Sequence, residues 1–197
     1  MNLWLRLLTV FLTALRGARS TPQASLTIDL RILPGDIDLN GHVNNGRYLS
    51  LLDLGRADFV ARTGLFQAGR RHKINGWVAA ATIRYRRPLL VGQRIRLTTR
   101  LLGWDGRSFF VAHKIESNGD VATLALVRVR VLGPKGPVSP NDAAVVLGLP
   151  PKSPPLPAVV TSWVSVDNEL DSVFDDAGSR KSQPSPTEGR TEEESHA

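Results

Sequence analysis

No cysteine occurs anywhere in the 197 residues. That absence excludes disulfide staples, thiolate nucleophiles and cysteine-ligated zinc together. Chemistry must come from oxygen and nitrogen side chains, and a reducing, cytoplasmic location is expected. The chain also lacks an internal repeat and any apolar run of the roughly 20 residues that a spanning helix needs, which sets aside repeat arrays and multispan membrane proteins. Trp4, Trp77, Trp104 and Trp163 stand far apart without interleaved basic residues, so no base-stacking surface for nucleic acid is expected. His113 has no acidic neighbour in sequence and His196 lies near the C-terminus. Neither suggests a metal site, and no cofactor is expected.

What the sequence does contain is an apolar fraction of 42% with 22% charged residues, enough for one well-buried domain with appendages. The net charge is +7, and residues 175–197 hold six acidic but only three basic side chains, so the remainder is more basic still. Such a field attracts nucleic acid, anionic headgroups or a phosphate-rich small molecule such as coenzyme A. Charge alone does not choose among them.

Residues 3–15 are apolar except for Arg6, Thr9 and Thr13, which recur with Arg16 at helical spacing and line one face. Residues 1–24 therefore read as an amphipathic arm. It packs on the domain or a partner subunit, or lies in a membrane interface through residues 3–16, aided by Arg16 and Arg19. Residues 25–33 alternate as a half-buried strand. A helix follows over 45–63, stopped by Gly64, with Tyr48, Leu49, Leu51, Leu52, Leu54, Phe59 and Val60 covering most of its circumference. Such a helix must be enclosed by other elements. Residues 67–76 read as a basic loop. Four strand-like runs, 77–85, 94–102, 108–117 and 121–132, are separated by short turns, two of them marked by Asp105-Gly106 and Asn118-Gly119, and must be antiparallel. Ser139 and Pro140 open a short helix ending near Gly148. The domain is thus drawn over 25–149, a proline-rich linker with a docked helix or arm over 150–174, and a disordered tail over 175–197.

Between the first strand and the long helix, Asp38, Asn40 and His42 occupy every second position. In an extended segment that spacing puts all three on one side. A carboxylate, an amide and an imidazole so gathered can align a water, position a carbonyl and shuttle a proton. The adjoining helix N-terminus offers free N–H groups to a developing oxyanion. Read singly, the same residues are ordinary loop and capping residues.

The ordered string Asp36-Ile37-Asp38-Leu39-Asn40-Gly41-His42-Val43-Asn44-Asn45-Gly46-Arg47-Tyr48 resembles the D-x-D-x-N-x-H-[VM]-N-N-x-x-Y motif of hotdog-fold acyl thioesterases of the 4-hydroxybenzoyl-CoA-thioesterase-like and acyl-ACP-thioesterase-like kind. Residues 85–90 and 100–105 look like the same group, and the resemblance spans about 26–149. It implies an α+β hotdog, a curved antiparallel sheet around one long helix, hydrolysing acyl-CoA or acyl-ACP without a metal. In it Asp38 is nucleophile or general base, and Asn40 and His42 position substrate or water. Asn45 and Tyr48 join the substrate site, and a second oxyanion donor is sought near Ala79 to Ala81. The resemblance also implies a dimer, or a dimer of dimers, with the site between subunits. Arg84 and Arg86 share one strand face, where they meet coenzyme A or carrier-protein phosphates or are plain solvated charge. Asp53 and Arg56, three apart on the helix, read as an ion pair, with Asp53 as the alternative catalytic carboxylate. Asp36 is expected to tolerate change to Asn. The competing reading is a non-catalytic acyl-carrier or lipid-binding protein on the same fold; a nucleic-acid-binding module rests on charge alone.

Overall fold

The computed structural model describes residues 3–170 and Val173; the tail expected over 175–197 lies outside the described residues. The elements run α1 (Leu3–Arg16), β1 (Leu26–Arg31), a 3-10 turn (Pro34–Asp36), α2 (Asn45–Arg62), α3 (Leu65–His72), β2 (Asn75–Tyr85), β3 (Arg94–Trp104), β4 (Phe109–Ser117), β5 (Asp120–Gly133), β6 (Gly136–Val138), α4 (Pro140–Val146) and α5 (Ala158–Glu169). The chain divides after Val160 into two units, and the first holds the whole sheet and the helices α1 to α4.

Five strands pair antiparallel in the order β1-β3-β4-β5-β2, and β6 adds to the end of β5. The chain can build consecutive antiparallel pairs because the turns have the right residues. Asn118 and Gly119 both take positive φ (53° and 82°), as a tight hairpin turn requires. At the β3–β4 hairpin the Asp105 carboxylate accepts the N–H groups of Arg107 and Ser108 at 2.7 Å each. Period two then turns Ile95, Leu97, Ile115 and Val127 inward, where they meet Tyr48, Leu51, Leu52 and Leu54 of α2 in one core. α2 comes very close to the sheet at Gly55. A Cβ there would stand 2.5 Å from Thr99 Oγ1 and 2.8 Å from Leu97 Cδ2, so glycine sets the helix–sheet spacing. The result is the curled sheet around one helix that the motif implied.

Three expectations change. Residues 67–76 are not simply a loop, because α3 forms through His72 and ends on Lys73 in the left-handed region. Its basic, glycine-containing sequence hid an apolar anchor, Phe66, whose ring packs edge-on against Phe11 of α1 at 4.7 Å. The domain does not stop at 149. Leu149 joins a second core cluster with Trp104 and Phe109, and the proline-rich stretch lies across β3, where Trp104 N–H donates to Ser153 Oγ at 2.8 Å. α5 is a regular helix despite its valines and serines, its Val160 fully buried.

The third change concerns α1, which forms as expected but turns Arg6 inward while the other polar residues of its stripe, Thr9, Thr13 and Arg16, stay exposed. Arg6, read as part of the outer polar face, is only 5% exposed, while Trp4, Leu5, Leu8 and Leu12 are 75%, 56%, 53% and 42% exposed. Leu7 and Val10 pack inward on the core. The reason is electrostatic: a buried carboxylate beneath the helix takes the Arg6 guanidinium, and the helix turns to reach it.

Candidate active site

The motif begins where β1 has ended and the chain must reverse into α2. It is not extended. Asp38 N–H donates to His42 C=O and Gly41 N–H to Asp38 C=O, both at 3.0 Å, so residues 38–42 form a tight reverse turn. An antiparallel bridge between Ile37 and Val43 closes its base. Gly41 supplies the positive φ of 78° the turn demands. The backbone bond between Asp38 and His42 brings those two residues together at the base of a turn, where period-two alternation suggested an extended segment. Asn40 sits at the exposed tip beside the fully exposed Leu39, and its N–H donates to Asp38 Oδ1 at 2.8 Å.

The turn leads straight into the helix. Asn44 caps α2 by accepting Gly46 N–H at 2.9 Å, and Val43 N–H donates to Leu89 C=O at 2.8 Å. Next to this N-terminus is a cavity of about 220 Å³ lined by His42, Asn45, Tyr48, Tyr85 and Arg86 among others. Tyr85 ends β2; its hydroxyl donates to Asn45 C=O at 3.1 Å, and its ring stands edge-on to Tyr48 at 4.9 Å. Burial raises the Tyr48 hydroxyl above its usual range, against a hydrogen bond with the Leu89 backbone. Tyr48 therefore stays protonated and available as a donor. His42 Nδ1 lies 3.3 Å from Val43 C=O; with the proton on Nδ1, that contact is a hydrogen bond and Nε2 is left as an acceptor.

Of the residues singled out from the sequence, His42, Asn45, Tyr48 and Arg86 thus line one cavity, Asp38 stands on the adjoining turn, and Asn40 points to solvent at its tip. Arg84 does not join them. It pairs with Leu124 across the sheet, between the inward-facing Ile83 and Tyr85, and so lies on the opposite face. Arg84 and Arg86 do not share a face as alternation suggested, because the N–H groups of Arg86 and Arg87 both donate to Ala122 C=O, at 2.8 and 3.2 Å. That bulge re-aims Arg86. A second irregularity in β2 falls at Ala79, within the stretch searched for an oxyanion donor.

The sequence reading missed Asp36. It is 2% exposed, and its carboxylate accepts from Arg6 at 2.9 Å, Arg47 at 3.0 Å and Leu33 N–H at 3.0 Å. Burial acts to raise its pKa, but the Leu33 N–H and the two guanidinium groups outweigh that and hold it below the usual carboxylate range. Asp36 is therefore not the neutral neighbour expected, and Asp36→Asn is not a silent change. The available signal was Arg6 itself, since an arginine inside an apolar helix needs a partner.

Asp53 takes the simpler of its two readings, an ion pair with Arg56. Arg56 continues inward, its Nη1 lying 3.3 Å from His113 Nε2. Arginine only donates, so Nε2 accepts and Nδ1–H donates to Thr99 Oγ1 at 3.1 Å. Burial, with Arg56 adding to it, lowers His113 to about 3. A larger apolar cavity of about 400 Å³ adjoins this cluster, lined by Arg56, Phe59, Phe66, Trp77, Val111 and Val129 among others. Among the described residues no group of three or more histidine or acidic side chains is placed to hold a metal ion.

The family model of the thioesterase-like superfamily matches residues 32–164. The chain belongs to the thioesterase-like superfamily. Protein THEM6 of Danio rerio is 36% identical over 133 residues, 66% of this chain and 64% of that protein. Protein THEM6 of Xenopus laevis is 33% identical over 140 residues, 70% and 66% of the two chains. This member of the superfamily therefore spans slightly under two thirds of the length of those relatives. The long-chain acyl-CoA thioesterase FadM of Escherichia coli is 33% identical over 93 residues, 46% of this chain and 70% of that one. Among solved structures YbaW of Escherichia coli, described as a probable thioesterase, superposes with a TM-score of 0.58 at 25% identity, covering 62% of this chain and 96% of that one. A gentisyl-coenzyme A thioesterase superposes with a TM-score of 0.55 at 20% identity, covering 61% of this chain and 99% of that one. These neighbours are hotdog-fold thioesterases, and the fold here is theirs.

The His113 cluster gives a prediction independent of activity. His113 is protonated below about 6.5 when unfolded but only near 3 when folded, so the unfolded state binds more protons between those values and stability falls as pH drops through them. Urea unfolding at pH 6.5 and pH 5 should show a loss of about 1–2 kcal/mol, and His113→Gln should reduce that loss.

Proposed function

We propose that the protein hydrolyses an acyl thioester, with acyl-CoA as the substrate and acyl-ACP as the second carrier to test. The observation that carries this reading is the turn that bears both Asp38 and His42, with His42 lining the cavity beside the N-terminus of α2 and the Asp38 carboxylate accepting Asn40 N–H on the adjoining turn. Asp38 acts as nucleophile or as general base toward water. His42 and Asn40 orient water and the thioester, and α2 N–H groups polarise the carbonyl as its oxygen gains charge. In the base pathway water's proton passes to Asp38, the C–S bond breaks, and the thiolate leaves to be protonated. Arg86, re-aimed by its bulge, suits the carrier's phosphates; Arg84, on the other face, does not. Membership of the superfamily and the likeness to FadM support this reading.

Within one chain the site is unfinished. Leu39 and Asn40 are exposed, and β2, one of the sheet's two edge strands, leaves Trp77, Val78 and Tyr85 more than 40% exposed while carrying a single charge, Arg84. An open edge of that kind invites a second copy. We assign a homodimer through β2, with further assembly into a dimer of dimers left to the same measurement. Light scattering should show at least two chains; a monomer that still turns over would contradict this.

A cytoplasmic enzyme that touches an anionic lipid surface through α1 fits the outward Trp4, Leu5, Leu8 and Leu12, with Arg16 and Arg19 exposed at the helix end and no acidic residue before Asp29. Among the described residues no helix is long and apolar enough to cross a membrane. Leu5→Glu with Leu8→Glu should abolish co-sedimentation with phosphatidylglycerol vesicles; unchanged sedimentation would refute the contact.

A panel of acyl-CoA substrates tests the central reading. The parent should release free thiol, and Asp38→Asn, which keeps volume and removes charge, should fold normally with turnover lower by about 10²-fold or more. Acyl-CoA binding without release would establish the non-catalytic alternative. Full turnover by Asp38→Asn, with loss in Asp53→Asn, would move the reacting carboxylate to α2.

A further inference from the structure

Asp36 joins four segments. Its Oδ2 accepts from Arg6 of α1 and from Leu33 N–H, and its Oδ1 accepts from Arg47 in the first turns of α2. Arg6 also donates to Arg31 C=O at the end of β1, at 2.8 Å. Through its main chain Asp36 accepts Asn44 N–H at 2.9 Å. The residue thus sits under the base of the 37–43 turn, two positions before Asp38, and is backbone-bonded to the residue that caps α2.

Arg6 and Asp36 side chains are 6% and 3% exposed, whereas Arg47 is 30% exposed. Without Arg6 a buried carboxylate keeps only the more exposed guanidinium and loses the donor that reaches it from inside. A charge left so poorly compensated does not stay in place: it draws in water or pulls the chain toward solvent. The chain that must move is the turn base. The family match begins at residue 32, so Arg6 lies outside it. We propose that Arg6 is a positioning residue for the motif turn, which makes α1 a part of the active site and not a separable arm. Its catalytic consequence rests on the reading of Asp38 as the reacting carboxylate. Its structural consequence does not.

The experiment compares the full-length parent, Arg6→Met, Arg6→Lys and, as a control on the exposed side of α1, Thr13→Ala. Two readouts are taken well below the melting temperature: NMR amide exchange at Asp38, Gly41 and Val43, and kcat and KM on the best acyl-CoA. Arg6→Met should speed exchange at those three amides about tenfold or more while the β3–β4 ladder is unchanged. It should lower kcat by about 10- to 10²-fold with KM within about twofold, the scale expected of a misplaced reacting group. Arg6→Lys should recover part of both losses, because an ammonium reaches Asp36 but lacks the second arm that binds Arg31; Thr13→Ala should match the parent. Parent-like exchange at the turn in folded Arg6→Met overturns the proposal, and so does faster exchange with unchanged kcat, which would make the contact merely structural. If Arg6→Met does not fold, Arg6→Lys carries the same comparison. If the parent cleaves no thioester, the exchange data alone decide whether Arg6 holds the turn, and the failure belongs to the proposed function.

Discussion

An α-helix that is apolar over most of its circumference cannot rest on a protein surface, and the architecture follows from enclosing α2. Its Tyr48, Leu51, Leu52 and Leu54 leave no side on which the helix could face water without cost. The sheet curls to cover it, and Gly55 lets the two surfaces meet at the Thr99 and Leu97 side chains. Enclosure also sets where chemistry can occur. The N-terminus of α2, carrying the partial positive charge of the helix dipole and capped by Asn44, emerges beside the turn that carries Asp38 and His42. The cavity at that end is walled by His42 and Val43 of the motif turn together with residues from α2, β2 and the segment following β2.

The interior is not wholly apolar, and two of the polar clusters among the described residues behave differently. Around Asp36 the charges are paired and hydrogen-bonded on both carboxylate oxygens. Such a group adds little net stability relative to an apolar replacement, yet breaking it costs about 3–5 kcal/mol, which makes it a strong constraint on geometry. Around His113 burial wins over charge, so the ring stays neutral and serves as an acceptor for Arg56 and a donor to Thr99. The exposed pairs Arg96 with Asp29 and Arg87 with Asp120 belong to another class, screened by water, and constrain little. Only the Asp36 group lies beneath the motif, which is why it bears on function.

Most of the fold was legible because it is local. Alternation marks β1 and β3 to β5, the Asn118-Gly119 turn fixes a hairpin, and Gly64 ends α2. The candidate site was legible as a string of residues but not as a shape. Spacing by two suggested an extended segment, whereas Gly41 and the Asn40 N–H to Asp38 bond make it a turn. Arg84 and Arg86 looked equivalent until two amides sharing the Ala122 carbonyl separated them. α1 shows the limit most clearly. Its periodicity is plain in the sequence, but the inward placement of Arg6 beside Leu7 and Val10 depends on Asp36, 30 residues away, and no local pattern carries that information.

The most direct measurement is a crystal structure with a non-hydrolysable 2-oxoalkyl-CoA bound, a thioether that keeps a ketone carbonyl in place of the thioester. Its carbonyl-equivalent carbon should lie next to the Asp38 carboxylate, its oxygen toward the N-terminus of α2, and the carrier's phosphates near Arg86. A ligand whose reacting centre sits instead in the cavity between Arg56, Phe66 and Trp77, with nothing near Asp38 or His42, would contradict the assignment of the motif turn as the site of hydrolysis.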